Sequence, residues 1–382
     1  MKPIIAIPAT SVLVFRAWKK RSLTGPGLVT AALTALAHAY HPWNLPFTLL
    51  CVFFLAGTRV THVKEGIKAK LTMTSKGSSG GEGPRNHVQG SVLANSLVSS
   101  ILTILHANQL YARQARLADP NESDPLGTTC FQWGGDVLVV GIIANYAAVA
   151  ADTFSSELGI LATGQPRLIT SLTLRRVPRG TNGGVTLTGL GAGLLGSIII
   201  VTTAMVLLPL CGAEQIGFPG GEVPWSLDQR RTLMGGLVLA GFAGTVIDSI
   251  LGGLFQRSVK DTRSGKIVEG EGGQRVLISE DGTATAVTGS SSSHGDDGRV
   301  EKKTTTRAAM RPRPATVEDD DEEEDKSTSH FGDEKPSRVA ESGWDLLDNN
   351  DVNFLMAVMS SVGAMAVASW YWEIPAERIL VV

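Results

Sequence analysis

The sequence predicts an all-α fold: a polytopic integral membrane bundle of about eight transmembrane helices, with seven as the alternative count. Apolar runs of membrane-spanning length predict it, and so does the enrichment of Lys and Arg in alternate connections. An uneven distribution of charge further predicts a long disordered loop between the last two helices. The expected organisation is a membrane domain over residues 1–257, the polar loop over 258–343, and the last span with its tail over 344–382.

Charge is concentrated in one stretch of the 382-residue chain, although the formal net charge is only −2. Residues 256–351 hold 36 of the 70 charged side chains, which leaves the rest of the chain unusually apolar. The near-neutral balance argues against a protein that coats nucleic acid. Three cysteines are too few for a disulfide framework, and Cys51 and Cys211 lie in apolar runs, where cysteine acts as a small hydrophobe.

Eight apolar runs are candidates for the membrane helices, because a crossing takes about 20 mostly apolar residues. In order they are residues 4–15, 28–40, 45–58, 88–107, 133–151, 183–211, 232–255 and 352–372. The first is the weakest, since it is short and lies beside Pro3 and Pro8, and a signal-peptide core is its alternative interpretation. The second and third runs are typical of a tight helical hairpin.

Basic residues recur in alternate connections between these runs. The connections after the first, third, fifth and seventh runs are rich in Lys and Arg, and the others are not. Because cytoplasmic loops are enriched in Lys and Arg, this pattern predicts eight crossings with both termini on the non-cytoplasmic side. Small residues four apart, such as Gly189 with Gly193, are interpreted mainly as packing faces between helices.

Acidic residues in membrane spans are costly and mark candidate functional sites. Asp152 and Glu157 follow the fifth run, Asp248 lies near the end of the seventh, and Asp348 and Asn349 precede the eighth. Their oxygens are ligands that Mg²⁺ prefers when it also carries substrate phosphates. The expected metal ligands are Asp152, Asp248, Asp348 and Asn349. The alternative for Asp348 is that it only caps a helix.

A glycine-rich turn and several arginines near the same face are candidates for phosphate binding. The turn Gly180-Thr181-Asn182-Gly183-Gly184 is expected to open the sixth helix, where free N–H groups favour phosphate. Arg167 and Arg179 can neutralise a polyphosphate or an anionic lipid head group, and Asn86 completes the expected nucleotide-binding set. The alternatives are packing for the glycines and membrane topology for the arginines. The seven histidines show no metal-ligand spacing and receive no role.

Several short motifs of the chain together resemble one family. They are Arg85-Asn86, Asp152-Thr153, Ser156-Glu157-Leu158-Gly159, Pro166-Arg167, Val177-Pro178, Gly180-Thr181-Asn182-Gly183-Gly184-Val185, Ile247-Asp248-Ser249 and Asp348-Asn349. On these motifs, over roughly residues 50–270 and 345–373, the chain resembles the transmembrane protein 19 family of integral membrane proteins (domain of unknown function 92).

The resemblance implies an activity, because the family includes plant and cyanobacterial phytyl-phosphate kinases. It implies an enzyme that phosphorylates an isoprenyl monophosphate, such as phytyl or farnesyl phosphate, at the cytoplasmic membrane face. CTP or ATP is the implied donor and Mg²⁺ the implied cofactor, with Asp152, Glu157 and Asp248 as the expected catalytic residues. The alternative is a transporter or lipid-translocating protein. The expected partners are the lipid substrate and the bilayer, without nucleic acid, in the endoplasmic reticulum or another intracellular membrane.

Overall fold

The computed structural model describes residues 3–19, 23–74, 89–118, 129–212, 224–270, 276 and 338–379. In chain order its helices are α1 (Pro3–Lys19), α2 (Gly25–Ala39), α3 (Leu45–Thr61), α4 (Glu65–Lys68), α5 (Gln89–Leu117), α6 (Val137–Gly159), α7 (Leu187–Leu207), α8 (Leu227–Phe255), α9 (Asn349–Tyr371) and α10 (Ala376–Ile379). Its strands are β1 (Met73–Thr74), β2 (Arg167–Leu168), β3 (Gly184–Val185), β4 (Ser258–Asp261), β5 (Ile267–Glu269) and β6 (Arg338–Ser342). Each of the eight apolar runs coincides with one of the longer helices.

Five of the described helices, α5 to α9, are long and apolar enough to cross a membrane. The helices α1, α2 and α3 contain 17, 15 and 17 residues. At a rise of 1.5 Å per residue they extend about 22–26 Å, which is less than the hydrocarbon thickness of about 30 Å. The chain is therefore a helical integral membrane protein. The predicted number of eight crossings is not confirmed, because α1, α2 and α3 fall short of that length.

The central helix of the bundle is α6, which packs against α3, α5, α7, α8 and α9. Every residue from Val137 to Ala151 is buried. Because apolar and small residues lie on all sides of this stretch, it has no polar face to turn outward, as is typical of a helix in the core of a bundle. The helix ends in two polar turns, and these turns begin the candidate site.

Small residues let α7 and α8 approach α6 closely. A Cβ added to Gly193 would lie 3.0 Å from the carbonyl oxygen of Ala151, and one added to Gly241 would lie 2.6 Å from the Cβ of Ala147. Gly189 also lies against α6, at the carbonyl of Ser155. Such close backbone contact is a common way for helices to associate in lipid. The interpretation of Gly189 and Gly193 as a packing face is therefore confirmed.

A four-stranded sheet in the order β1-β5-β4-β6 follows the C-terminal end of α8. Strand β5 pairs in parallel with β1, and β4 pairs antiparallel with β5 and β6. The sheet buries Val259, Ile267 and Val268, so the apolar residues at the start of the polar loop belong to ordered structure. The prediction that residues 258–343 are disordered is therefore wrong at both ends of that range, where β4, β5 and β6 form. Residues 271–275 and 277–337 lie outside the described residues.

A disulfide joins Cys130 to Cys211, and it lies at the end of the bundle where α6 begins. The prediction that Cys211 is a small hydrophobe is wrong. The Phe131 N–H donates to the carbonyl of Pro209 (2.7 Å), and the Cys211 N–H donates to the carbonyl of Phe131 (3.0 Å). These bonds hold the two segments side by side, so cysteines 81 residues apart in the sequence can meet.

Candidate functional site

The last two turns of α6 carry the first part of the candidate site. Asp152 directly follows the buried apolar stretch, and Glu157 lies five residues further on. Helix α8 passes close by, because Gly244 packs against Ala148 of α6. One helical turn after Gly244, Asp248 comes beside the polar end of α6. The small residue on α8 thus positions an acid from a second helix.

The carboxyl groups of Asp152 and Asp248 lie beside each other, and the hydroxyl of Thr245 lies next to that of Asp152. Asp248 Oδ1 and Thr245 Oγ1 are buried and make no hydrogen bond to any described residue. The two aspartates are half-buried, and neighbouring carboxyl groups beside unsatisfied buried oxygens are costly unless a cation or a proton neutralises them. Their oxygens also belong to the hard ligand type that Mg²⁺ takes together with water and phosphate, so the pair fits that ion.

Glu157 forms a buried ion pair with Lys68, a residue that no sequence motif singles out. Lys68 Nζ lies 2.6 Å from Glu157 Oε2, and the two side chains are 7% and 12% exposed. The ammonium also donates to the carbonyls of Val60 (3.2 Å) and Thr61 (2.5 Å) at the end of α3. Because Glu157 interacts electrostatically with Asp152, the ion pair and the acid pair form one polar cluster. Lys68 is therefore the candidate for the basic partner that Glu157 is expected to orient.

Asp348 caps a helix instead of joining the acid pair. Its Oδ1 accepts hydrogen bonds from the N–H groups of Asn350 (2.8 Å) and Asp351 (2.9 Å), and Asp351 Oδ2 accepts from the Asp348 N–H (3.0 Å). This reciprocal arrangement satisfies the first turn of α9, which begins at Asn349. No three His, Cys, Asp or Glu side chains of the described residues are placed to hold one metal ion. The predicted site that adds Asp348 and Asn349 is therefore wrong, and the capping alternative is confirmed for Asp348.

The glycine-rich turn, residues 180–184, precedes β3 and does not open α7. That helix begins at Leu187, and Thr186 is its N-cap. The N–H of Asn182 donates to a serine hydroxyl of β4 (2.9 Å), and the N–H of Gly184 donates to the carbonyl of Thr181 (3.0 Å). Because these N–H groups already have acceptors, the expectation of free amides at a helix start is wrong.

Two glycines of this turn are required by the backbone and by close contacts. Gly183 has φ +75°, and a Cβ there would lie 2.6 Å from Gly253 Cα and 2.7 Å from the carbonyl oxygen of Ser249. Gly180 has φ +86°, and its Cβ would lie 2.7 Å from the side chain of Thr72. Residues with side chains rarely adopt such φ values. The packing alternative for these glycines is therefore confirmed.

The two arginines of the expected phosphate site lie in the loop after α6. Arg167 donates to the carbonyl of Leu174 (3.2 Å), and Arg179 donates to the carbonyl of Thr163 (3.1 Å). These bonds hold the loop together at the same end of α6 as the acid pair. Asn86 lies outside the described residues, so its role stays a prediction, as does phosphate binding by the arginines.

The opposite end of the bundle holds a second buried polar network. His41 Nε2 lies 2.8 Å from His106 Nδ1, and His106 Nε2 lies 3.3 Å from Asp136 Oδ2. Arg113 donates to Asp136 Oδ1 at 2.7 Å. Burial, followed by the nearby His106, lowers the pKa of His41 to about 2. Burial acts to raise the pKa of Asp136, but His106 and Arg113 outweigh it and hold that pKa below 3.8.

The fold and the site together define a class of protein. It is a helical integral membrane protein with a half-buried acid pair towards one end of its central helices and a disulfide at the other. The chain belongs to the family described as integral membrane protein DUF92, whose model matches residues 8–361. The family expected from the short motifs is therefore confirmed.

Curated relatives support the same family. The chain is 34% identical over 256 residues to Protein PGR of Arabidopsis thaliana, covering 67% of this chain and 79% of that protein. It is 28% identical over 258 residues to an uncharacterized membrane protein of Methanocaldococcus jannaschii, covering 66% and 83%. It is 27% identical over 210 residues to Protein VTE6, chloroplastic, of Arabidopsis thaliana, covering 55% and 49%. No solved structure matches at a significant level. The name of VTE6 assigns that relative to the chloroplast, and no relative supports the expected location of this chain in the endoplasmic reticulum.

Proposed function

We propose that this protein phosphorylates an isoprenyl monophosphate to the diphosphate at the membrane surface, with CTP or ATP as the donor. The observation that carries the proposal is the half-buried pair of Asp152 and Asp248, whose neighbouring carboxyl groups and unsatisfied oxygen, Asp248 Oδ1, call for a positive charge. The class of reaction comes from the family to which the chain belongs, which includes phytyl-phosphate kinases.

In this proposal Asp152 and Asp248 would hold Mg²⁺. Two carboxylates, completed by water and substrate phosphates, are a usual ligand set for this ion. When bound, the ion neutralises charge on the phosphoryl group during its transfer. The Thr245 hydroxyl, which lies beside Asp152, would orient a water molecule or a phosphate oxygen.

The ion pair of Lys68 and Glu157 would hold the polar end of α6 in place where the acceptor phosphate binds. Lys68 donates to Glu157 and to two carbonyls of α3, so all three N–H groups of its ammonium have acceptors before the substrate arrives. Its fixed positive charge would attract the phosphate electrostatically, without a hydrogen bond of its own. Arg167 and Arg179 would add positive charge at the same end, where the nucleotide would approach.

The proposed reaction needs positioning more than proton transfer. An oxygen of the acceptor monophosphate forms a bond to the γ-phosphorus, while the bond from that phosphorus to the β,γ-bridging oxygen breaks. The nucleoside diphosphate leaves with the electron pair of the broken bond. Because the acceptor oxygen is already ionised near neutral pH, no side chain has to remove a proton, and placement and charge neutralisation supply most of the catalysis.

The second candidate is a transporter or lipid-translocating protein. Transporters place their polar sites near the middle of the membrane. Asp152 lies about two thirds of the way along the 23-residue α6, and Asp248 about three quarters of the way along the 29-residue α8. Positions towards the helix ends suit a substrate whose phosphate lies at the interface while its isoprenyl chain stays in the hydrocarbon, which favours the enzyme.

The proposal is tested by incubating the purified protein in lipid nanodiscs with phytyl or farnesyl monophosphate, Mg²⁺ and labelled CTP or ATP. We expect labelled isoprenyl diphosphate, and we expect chelation of the Mg²⁺ to abolish it. Absence of a diphosphate product with every combination of lipid and nucleotide would overturn the proposed activity.

A further inference from the structure

A polar cavity of about 290 Å³ lies at the disulfide end of the bundle, away from the acid pair. It is enclosed by the end of α5, the start of α6 and the segment that follows α9. Arg113, Asp136, Trp372, Glu373 and Arg378 contribute its polar groups. The proposed phosphorylation uses none of them.

An open apolar groove of about 840 Å³ adjoins this cavity. It runs along the last turns of α9, beside Val362, Met365 and Ala366, and it has Glu373 and Ile374 in common with the polar cavity. Aromatic residues at the end of α9 are typical of the membrane interface, which places the polar cavity at head-group depth. A polar cavity continuous with an apolar groove has the shape of a site for one lipid molecule.

The segment that forms the wall of this site is fixed at several points. The Ile374 N–H donates to the Ser369 carbonyl (2.8 Å), and the Ser369 hydroxyl donates to the Ile374 carbonyl (2.5 Å). Further along, Gln109 Nε2 donates to the Ile379 carbonyl (2.9 Å). Glu373 has φ +56°, a costly value for a residue with a side chain. The turn that carries Glu373 is thus tied to α9, and α10 is tied to α5.

The charges of the cavity are not all used by the protein. Asp136 is occupied by Arg113 and His106. Within the part of the chain that the structure describes, Arg378 and Glu373 form no ion pair, and the buried Trp372 Nε1 has no acceptor. One cation and one N–H donor suit a phosphate, and the single remaining acid suits an ammonium group.

We propose that the cavity and the groove bind one membrane phospholipid with a zwitterionic head group that carries a primary amine. Its phosphate lies at Arg378 and Trp372, its ammonium at Glu373, and one acyl chain lies along α9 at Ala366. The lipid belongs to the leaflet on the disulfide side. It is therefore distinct from any substrate of the acid pair, and the site stands or falls independently of the kinase proposal.

Native mass spectrometry of the full-length protein tests this site. The protein is released from nanodiscs that contain equal amounts of phosphatidylethanolamine, phosphatidylcholine and phosphatidylglycerol. We expect one retained phosphatidylethanolamine per chain. Arg378→Gln should weaken its retention about tenfold, because a charge-assisted hydrogen bond is lost. Glu373→Gln should reduce the preference for phosphatidylethanolamine over phosphatidylcholine.

Two further variants make the result decisive. Arg230→Gln removes an exposed arginine outside the cavity and should leave retention unchanged. Ala366→Trp fills the groove at a surface position and should abolish retention without lowering Tm. Retention of the three lipids in proportion to their supply, or equal effects of Arg378→Gln and Arg230→Gln, would overturn the proposed site.

Discussion

Lys68 Nζ and Glu157 Oε2 lie 2.6 Å apart in a nearly buried ion pair, on the same polar end of α6 as Asp152. The pair joins the four-residue helix α4 to the central helix of the bundle. A buried charge is tolerated when it is paired and hydrogen-bonded, and both conditions hold for Lys68, which also meets two carbonyls. The pair therefore links the stability of this end of the bundle to the proposed phosphate site.

Breaking this ion pair from one side should be strongly destabilising. We expect Lys68→Met to lower the free energy of unfolding by about 3–5 kcal/mol, because Glu157 is left buried without its partner. The double variant Lys68→Met/Glu157→Leu should recover part of the loss, which a double-mutant cycle of Tm values measures. Arg175→Gln serves as the control, since it breaks an ion pair with Glu341 in which Arg175 is 43% exposed, and should cost about 0–1 kcal/mol. Equal effects of Lys68→Met and Arg175→Gln would contradict the account.

The contact between α8 and α6 should not tolerate a methyl group at Gly241. We expect Gly241→Ala to destabilise the protein by about 1–3 kcal/mol, since the new Cβ would lie 2.6 Å from Ala147 Cβ. Gly235→Ala on the same helix is the matched control, because nothing lies within 4 Å of a Cβ there. Because alanine has a greater helix propensity than glycine, Gly235→Ala should leave Tm unchanged or raise it. Thermal unfolding in detergent measures both, and a stable Gly241→Ala would show that the helices are further apart.

The network at Asp136 should make stability depend on acidity in a defined range. Because the pKa of folded Asp136 lies below 3.8, its carboxylate contributes fully above that pH, and the contribution disappears as the pH falls through the folded-state pKa. The difference in Tm between wild type and Asp136→Asn should therefore be constant from pH 5 to 7 and should shrink below about pH 4. Asp228→Asn, at a residue whose side chain is 92% exposed, should show almost no difference at any pH. A Tm difference between wild type and Asp136→Asn that grows as the pH falls would contradict this assignment.

The two ends of α6 should face different compartments. Disulfides persist in oxidising compartments, so the end with Cys130 and Cys211 is expected to face one, with the acid pair towards the other side. In sealed vesicles, an impermeant maleimide should label an introduced cysteine at the exposed Gln165 from one side and one at Asp228 from the other. Labelling of both positions from one side would contradict this orientation.

The helices and the acid pair could be predicted from sequence because their signals are local. An uninterrupted apolar stretch up to Ala151 predicts a buried helix, and a lone Asp248 in an apolar run is conspicuous. Lys68 was not predictable in this way, because a basic residue in a loop is sufficiently explained by membrane topology. The Cys130–Cys211 disulfide depends on contacts between segments 81 residues apart, which no local pattern reports.

The same limit explains the errors at the expected phosphate and metal sites. Residues 180–184 have the composition of a phosphate-binding turn, but the Asn182 N–H is used by the hydroxyl of Ser258, 76 residues away, and the Gly184 N–H by the carbonyl of Thr181 in the same turn. Asp348 has the composition of a metal ligand, yet its carboxylate is satisfied by the first turn of its own helix. Residue type indicates what a group can bind, and only the fold determines whether that capacity is already used.

The acid pair is tested most directly by comparing wild type, Asp152→Asn, Asp248→Asn and Asp228→Asn for synthesis of labelled isoprenyl diphosphate under the same conditions. Each asparagine at the pair retains the side-chain shape and removes one carboxylate from the proposed Mg²⁺ site, so we expect at least a hundredfold loss of kcat, about 2.7 kcal/mol in the barrier, with Tm maintained. Asp228→Asn, exposed and outside the pair, should keep wild-type activity. Wild-type activity in Asp152→Asn or Asp248→Asn would contradict the central claim.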